Sequence, residues 1–175
     1  MIAIKMTNET MAERWGSTIR EPRVGVMLHY DGSKSDAGAV TWFADPRCNV
    51  SYQMLVLDDG SRVRVAPDTA RAYHAGVCRP NDPRLTYRDA NSAFFGIAAA
   101  ATDGNVITEA QYGTILLLVV DYFVAYGWPL TESWRLVGHD TEAWPLGRKH
   151  DPTGSHPDRP VLSIPQLRRW LEQAQ

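Results

Sequence analysis

The sequence has few cysteines and no long apolar run, which disfavours a disulfide-stabilised protein and a membrane-spanning one. Cys48 and Cys78 are the two cysteines among 175 residues, and they show no CxxC spacing. We interpret them as free thiols rather than as a disulfide. The longest apolar run without glycine, residues 115–120, is far shorter than the ~20 residues of a membrane-spanning helix, so no membrane span is expected.

An excess of one charge is also missing. The formal net charge is -2 at pH 7, which provides no basic field for nucleic acid, and no nucleic-acid partner is expected. The first ten residues, MIAIKMTNET, contain no apolar run typical of a signal peptide, so we expect cytoplasmic synthesis without a signal peptide. Lysine is scarce, with three lysines against 15 arginines, and each lysine is therefore of interest.

The patterns that are present predict a single α/β domain over residues 1–175, with a core at about 24–172 and a central mixed sheet flanked by helices. Thr108 and Gln111, and later Ser163 and Gln166, have the spacing of capping boxes at helix starts. The last helix should bury one face that includes Leu167. Trp170 is expected on that same face. Strands are predicted at 24–28, 50–57, 62–65, 94–101 and 134–138, and helices at 36–44, 108–126 and from 163 onward.

Two of these apolar strands are each followed by a histidine. His29 follows the strand at 24–28, and His139 follows the strand at 134–138. If the two strands are neighbours in one sheet, both imidazoles lie at the same edge. The segment GRKHDPTG adds a carboxylate, Asp151, in a loop that contains proline and glycine. Two histidines and one carboxylate are a sufficient protein ligand set for a catalytic zinc. A purely structural role for each residue stays open, because the sequence has no HExxH motif.

Several blocks, taken in order, resemble one enzyme family. Their order and spacing are similar to those of the zinc-dependent N-acetylmuramoyl-L-alanine amidases of type 2. This family includes small phage lysozyme-amidases, cytosolic anhydromuramyl-peptide amidases and peptidoglycan recognition proteins. The resemblance covers about residues 24–170 and implies a fold like that of the peptidoglycan recognition proteins. The blocks are VMLHYDGS, NVSYQMLVLDDG, RAYHAG, NSAFFGIA, RLVGHD and GRKHDP.

The resemblance implies a role for several residues. The implied zinc ligands are His29, His139 and Asp151. Tyr52 and Lys149 match the positions of catalytic residues, and His74 matches a cleft histidine that contacts substrate near the scissile carbonyl. The residue types leave simpler roles open: Tyr52 as strand packing, Lys149 as a solvated surface residue and His74 as a hydrogen-bonded loop residue.

The rival third ligand is His150, the neighbour of Asp151. In an extended loop, residues i and i+2 point to the same side. Lys149 and Asp151 would then face the metal together, and His150 would point away. His156 is interpreted as a loop residue. Aromatic residues that could stack on sugar or peptide, or serve as ordinary packing, are Trp42, Tyr73 and Trp144.

The chain departs from the family pattern at two places. Many cytosolic members carry a glutamate on the central strand, two residues after the glycine of "GI", and this chain has Ala98 there. The glutamate-assisted mechanism is therefore not expected, as in the phage-type members. The segment between His139 and Asp151 also carries an additional EAWPLG element.

The expected activity is zinc-dependent hydrolysis of the amide between N-acetylmuramic acid and L-alanine in peptidoglycan. We expect a monomeric, bacteriolytic phage-type endolysin that acts on the cell wall after its release. The alternative is a cytosolic enzyme that recycles anhydromuramyl-peptides. A third possibility is a non-catalytic peptidoglycan-binding module, which the presence of all three ligand positions disfavours.

Overall fold

A mixed five-stranded sheet organises the chain, and the computed structural model describes residues 18–156 and 158–174. The expectation about a signal peptide falls on residues 1–17 and lies outside this part. The strand order is β3-β2-β4-β1-β5, and every neighbouring pair is parallel except β2 with β3. The predicted α/β fold with a central mixed sheet is thus confirmed. The strands are β1 (Gly25–Tyr30), β2 (Met54–Val56), β3 (Arg62–Arg64), β4 (Phe94–Ala99) and β5 (Leu136–Gly138).

Helices cover the sheet, and their starts follow the capping signals of the sequence. At the start of α3 the Thr108 side chain accepts from the Gln111 backbone, and the Gln111 side chain accepts from the Thr108 backbone, which confirms the capping box. At α5 the Ser163 hydroxyl accepts from the Gln166 backbone N–H. The helices are α1 (Asp36–Ala44), α2 (Ala90–Ala93), α3 (Glu109–Ala125), α4 (His139–Glu142) and α5 (Ile164–Gln173).

The prediction that Trp170 shares the buried face of the last helix is wrong. α5 buries Leu167 and Leu171, which are four residues apart, whereas Trp170 is 39% exposed. Trp170 instead packs edge-on against Tyr112 of α3, with ring centroids 4.8 Å apart. Residues at i, i+4 spacing therefore form the core-facing side of the helix, and Trp170 lies at the edge of that side.

The two faces of the sheet bury different kinds of residue. On one face, large side chains of β1 and β4, such as Leu28 and Ile97, pack against α3 and α5. On the other face, β4 carries Gly96 and Ala98, which leave room beside His29. This small-residue face is where the site is built.

Several predicted strand boundaries differ from the structure, and three of them concern β1, β2 and β5. His29 lies inside β1 rather than after it. β5 begins at Leu136, because Ser133–Arg135 forms a 3-10 turn. β2 begins at Met54, since Ser51 exchanges hydrogen bonds with Tyr73 of the long loop. Both cysteines are free, and none of the helices between residues 18 and 174 is long and apolar enough to cross a membrane.

Candidate active site

The parallel pairing of β1 with β5 places two histidines side by side. Leu28 of β1 is in register with Gly138 of β5. The residue that follows Leu28 is His29, and the residue that follows Gly138 is His139. The φ of Gly138 is -95°, which any residue can adopt, so the backbone conformation does not require glycine here. The requirement is for space. A Cβ at this position would overlap the Asp140 carboxylate and lie 2.9 Å from Pro152 Cδ. Glycine therefore lets the loop around residue 151 reach the ends of the strands.

Asp151 completes a buried cluster with the two histidines. The Asp140 N–H donates to the Asp151 carbonyl at 2.6 Å, which holds the loop against α4. One carboxylate oxygen, Asp151 Oδ2, lies 2.8 Å from His29 Nδ1 and 3.0 Å from His139 Nδ1. Ligand atoms of the three residues all lie within 4.8 Å of one another. The structure thus brings together the three predicted ligands, and it leaves the rival His150 exposed outside the cluster.

The hydrogen bonds of His139 show that this donor set fits a cation. His139 Nε2 lies 2.8 Å from the Ala75 carbonyl, which can only accept, so Nε2 carries the proton. A lone pair on His139 Nδ1 would then face the Asp151 carboxylate, and a cation between the two atoms would bind both. Imidazole nitrogen and carboxylate oxygen are ligands that zinc accepts.

The ionisation states agree with a ligand role. Burial lowers the pKa of His29 to about 4, so this imidazole is neutral at pH 7. Burial acts to raise the pKa of Asp151, but the imidazoles of His139 and His29 act more strongly in the opposite direction and hold it well below its usual range. The neutral imidazole of His29 and the ionised carboxylate of Asp151 therefore meet beside His139.

Tyr52 and Lys149 border the same site. The Tyr52 ring packs on the His29 imidazole with centroids 5.0 Å apart. Burial, followed by the charge of Asp151, raises the pKa of Tyr52 far above its ordinary value, so its hydroxyl stays protonated. Lys149 is exposed and lines a cleft of about 360 Å³ together with Tyr52, His74 and Asp151.

His74 lies behind His29 and also borders the cleft. Its Nδ1 is 3.0 Å from His29 Nε2, and its ring fills the space above Gly96, where a Cβ would lie 2.8 Å from it. Substrate contact by His74 stays a prediction, and its contact with His29 adds a supporting role that the sequence did not reveal.

Sequence reasoning missed three groups at this site: the side chains of Asn91 and Arg148 and the backbone carbonyl of Ala75. Asn91 Oδ1 accepts from the backbone N–H groups of His74 and Ala75 at 2.9 and 2.8 Å. Arg148 donates to the carbonyls of Ala75 and Val77. Asn91 lies within the NSAFFGIA block, which was its only signal, whereas a backbone carbonyl such as that of Ala75 leaves none.

The aromatic residues proposed for stacking are not equivalent. Tyr73 lines an adjoining cleft of about 280 Å³ with His74 and Lys149. Trp42 and Trp144 are 42% and 40% exposed and are not among the lining residues of either cleft. Stacking on substrate stays a prediction for all three.

Comparison with known proteins identifies the family. The family model for N-acetylmuramoyl-L-alanine amidase matches residues 20–154. The chain belongs to this amidase family. It is therefore an enzyme that hydrolyses the N-acetylmuramoyl-L-alanine amide, and its substrate is peptidoglycan or a muropeptide. A search of curated proteins finds no match.

Solved amidase structures share the fold of this chain. A crystal structure of an AmpD derivative has a TM-score of 0.67 and 23% identity, over 86% of this chain and 85% of that one. The amidase LysC from Clostridium intestinale URNW has a TM-score of 0.65 and 15% identity, over 98% and 96%. AmpDh3 from Pseudomonas aeruginosa, in complex with anhydromuramic pentapeptide, has a TM-score of 0.64 and 18% identity, over 95% and 66%. These similarities confirm the predicted amidase fold.

Proposed function

We propose that this amidase is zinc-dependent, with His29, His139 and Asp151 as the protein ligands. The observation that carries the proposal is the position of Asp151 Oδ2, within 3.0 Å of Nδ1 of both histidines in a buried cluster. Zinc bound by three such ligands supplies a water of lowered pKa and polarises a carbonyl.

The residues around the ligands would act on the scissile amide. Tyr52 keeps its proton, so its hydroxyl donates a hydrogen bond to the oxygen that gains negative charge. Lys149 adds a positive charge at the solvent side of the same cleft. A donor that acts on such an oxyanion contributes about 2.7–4 kcal/mol to lowering the barrier. All these groups come from one chain, so the site needs no second subunit, and we propose a monomeric enzyme.

Ala98 supports the role of a bacteriolytic, phage-type endolysin over that of a recycling enzyme. It pairs in register with His29 across β1 and β4 and is fully buried, so no carboxylate occupies this position beside the ligand. The glutamate of many cytosolic members would stand at this place. The alternative, cleavage of anhydromuramyl-peptides in the cytoplasm, predicts a preference for small substrates.

Metal analysis tests the ligand assignment. The wild-type protein should hold close to one zinc per chain, and Asp151→Ala should lose most of it, because two imidazoles alone form a weak site. His150→Ala is the matched control and should keep its zinc. The opposite result would assign the third ligand to His150. Full activity after complete removal of metal would overturn zinc dependence.

Rates on two substrates test the role. An endolysin should digest intact sacculi at least as fast as small anhydromuramyl-peptides, because its natural substrate is the polymer. A recycling enzyme should cleave the small peptides far faster. Zinc-loaded protein that binds sacculi and cleaves neither substrate would favour the non-catalytic binding module.

A further inference from the structure

We infer that His74 and Ala75, here called the support segment, orient both imidazole ligands at once, and that Asn91 is the positioning residue that holds this segment. The inference rests on the proposed function, since it assigns the residues that prepare the zinc site. It differs from the expected role of His74 as a substrate contact.

The support segment contacts the outer nitrogen of each histidine. His74 Nδ1 lies 3.0 Å from His29 Nε2, and the Ala75 carbonyl lies 2.8 Å from His139 Nε2. In a metal-binding histidine, a partner on the nitrogen away from the metal fixes the tautomer and the ring direction. Two consecutive residues therefore direct both Nδ1 lone pairs toward Asp151.

Asn91 fixes the position of this segment through two hydrogen bonds to its backbone. Its single side-chain oxygen accepts from the backbone N–H groups of both His74 and Ala75, at 2.9 and 2.8 Å. Asn91 lies in α2, directly before the central strand β4, and is 6% exposed. Without the Asn91 oxygen, the backbone N–H groups of both residues lose their hydrogen-bond acceptor, and the segment is free to move.

The ring of His74 is fixed by the sheet itself. Gly96 lies under the imidazole, and any side chain at that position would displace the ring. His74 Nε2 is buried without a hydrogen-bond partner among the described residues. Among the described residues, the side-chain hydrogen bond of the ring is the one to His29, as expected of a residue that orients a ligand.

The test compares variants that remove an acceptor with variants that keep it. His74→Leu removes the acceptor for His29, whereas His74→Asn places an amide oxygen close to the position of Nδ1. Asn91→Ala removes the acceptor for the segment, whereas Asn91→Asp keeps one. His156→Leu, in an exposed loop, is the control histidine variant. Zinc affinity is measured by competition with a fluorescent chelator, and the cobalt-substituted proteins are compared by their visible absorption.

The expected result is a 10–100-fold loss of zinc affinity and an altered cobalt spectrum in His74→Leu and Asn91→Ala. His74→Asn and Asn91→Asp should recover most of the affinity, and His156→Leu should equal the wild type. If the wild type binds zinc and all variants bind it equally well, the inference fails while the proposed function stands. If the wild type binds no zinc, both fail.

A measurement on the wild type covers the case in which a variant does not fold. Histidine ¹⁵N NMR of the zinc-loaded protein should show a proton on Nε2 of both His29 and His139, with His74 accepting at Nδ1. A proton on Nδ1 of either ligand would overturn the inference.

Discussion

Tyr52 packs its ring against the imidazole of His29, with centroids 5.0 Å apart and an interplanar angle of 49°. The tyrosine comes from the segment before β2 and the histidine from β1, so two chain segments separated by α1 meet at the site. Phe43 of α1 also packs edge-on against the tyrosine ring, with ring centroids 5.6 Å apart. The Tyr52 hydroxyl is therefore a fixed, protonated donor beside the ligand cluster.

Tyr52→Phe should lower kcat by roughly 10²–10³-fold, because it removes one donor to the developing oxyanion. Zinc content and the unfolding midpoint should stay close to wild type, since the ring remains. Tyr112→Phe is the matched control: its hydroxyl donates to the Ser163 carbonyl on the other side of the sheet. Equal kcat in the two variants would reduce Tyr52 to a packing residue.

Lys149→Ala should also lower kcat, by roughly 10²-fold, without loss of zinc, because a positive charge is removed from the cleft. Lys34→Ala removes an exposed lysine that lines a different cavity and should leave kcat unchanged. The measurement is kcat with a soluble muropeptide. If both lysine variants behave like the wild type, Lys149 is an ordinary surface residue.

Two glycine-to-alanine changes should shift the free energy of unfolding in opposite directions. Gly138→Ala brings a methyl group within 2.9 Å of Pro152 and against Asp140, and should destabilise the protein by about 1–3 kcal/mol and weaken zinc binding. Gly113→Ala lies in α3 with nothing within 4 Å of the added carbon, and should stabilise it by about 1 kcal/mol. Urea denaturation measures both. A neutral Gly138→Ala would show that the loop does not depend on this close approach.

The metal-free protein should lose stability between pH 6.5 and about 4. Unfolded His29 takes up a proton near pH 6.5, whereas burial delays protonation in the folded state to about pH 4. The unfolded state therefore binds more protons in this window, and stability falls as the pH falls, by roughly 3 kcal/mol from His29 alone. Burial lowers the pKa of His74 as well, which acts in the same direction.

Chemical denaturation of chelator-treated protein at several pH values measures this slope. His29→Leu should make the slope shallower, and His150→Ala, at an exposed position, should not change it. Constant stability between pH 7 and pH 4.5 would show that His29 is not buried in its neutral form.

The sequence predicted the ligand cluster because its geometry follows from strand pairing. Each histidine continues an apolar strand, and parallel neighbours bring their carboxyl ends to one edge, so His29 and His139 had to meet if β1 and β5 paired. Asp151 followed from the resemblance and from its constrained loop. Strand β2 was predicted too long because Ser51 pairs with Tyr73 outside the sheet. Strand β5 was predicted too long because Ser133–Arg135 forms a 3-10 turn.

The support segment could not be predicted in the same way. Asn91 acts on backbone N–H groups 16 and 17 residues away, and such contacts produce no periodic pattern. The Ala75 carbonyl is a backbone group, and the sequence does not reveal that the side chains of His139 and Arg148 contact it. The position of Trp170 failed for a different reason, since i+3 and i+4 spacings both fit one helix face and packing decides between them.

Analysis of the products from purified peptidoglycan tests the central claim most directly. Zinc-loaded protein should release new α-amino groups that labelling identifies as L-alanine, and chelator-treated protein should release none until zinc is restored. Glycan strands should remain uncut, without new reducing ends, because the cluster holds no pair of carboxylates such as glycosidases use. New reducing ends without new L-alanine amino groups, or release of L-alanine termini that does not depend on zinc, would contradict the account.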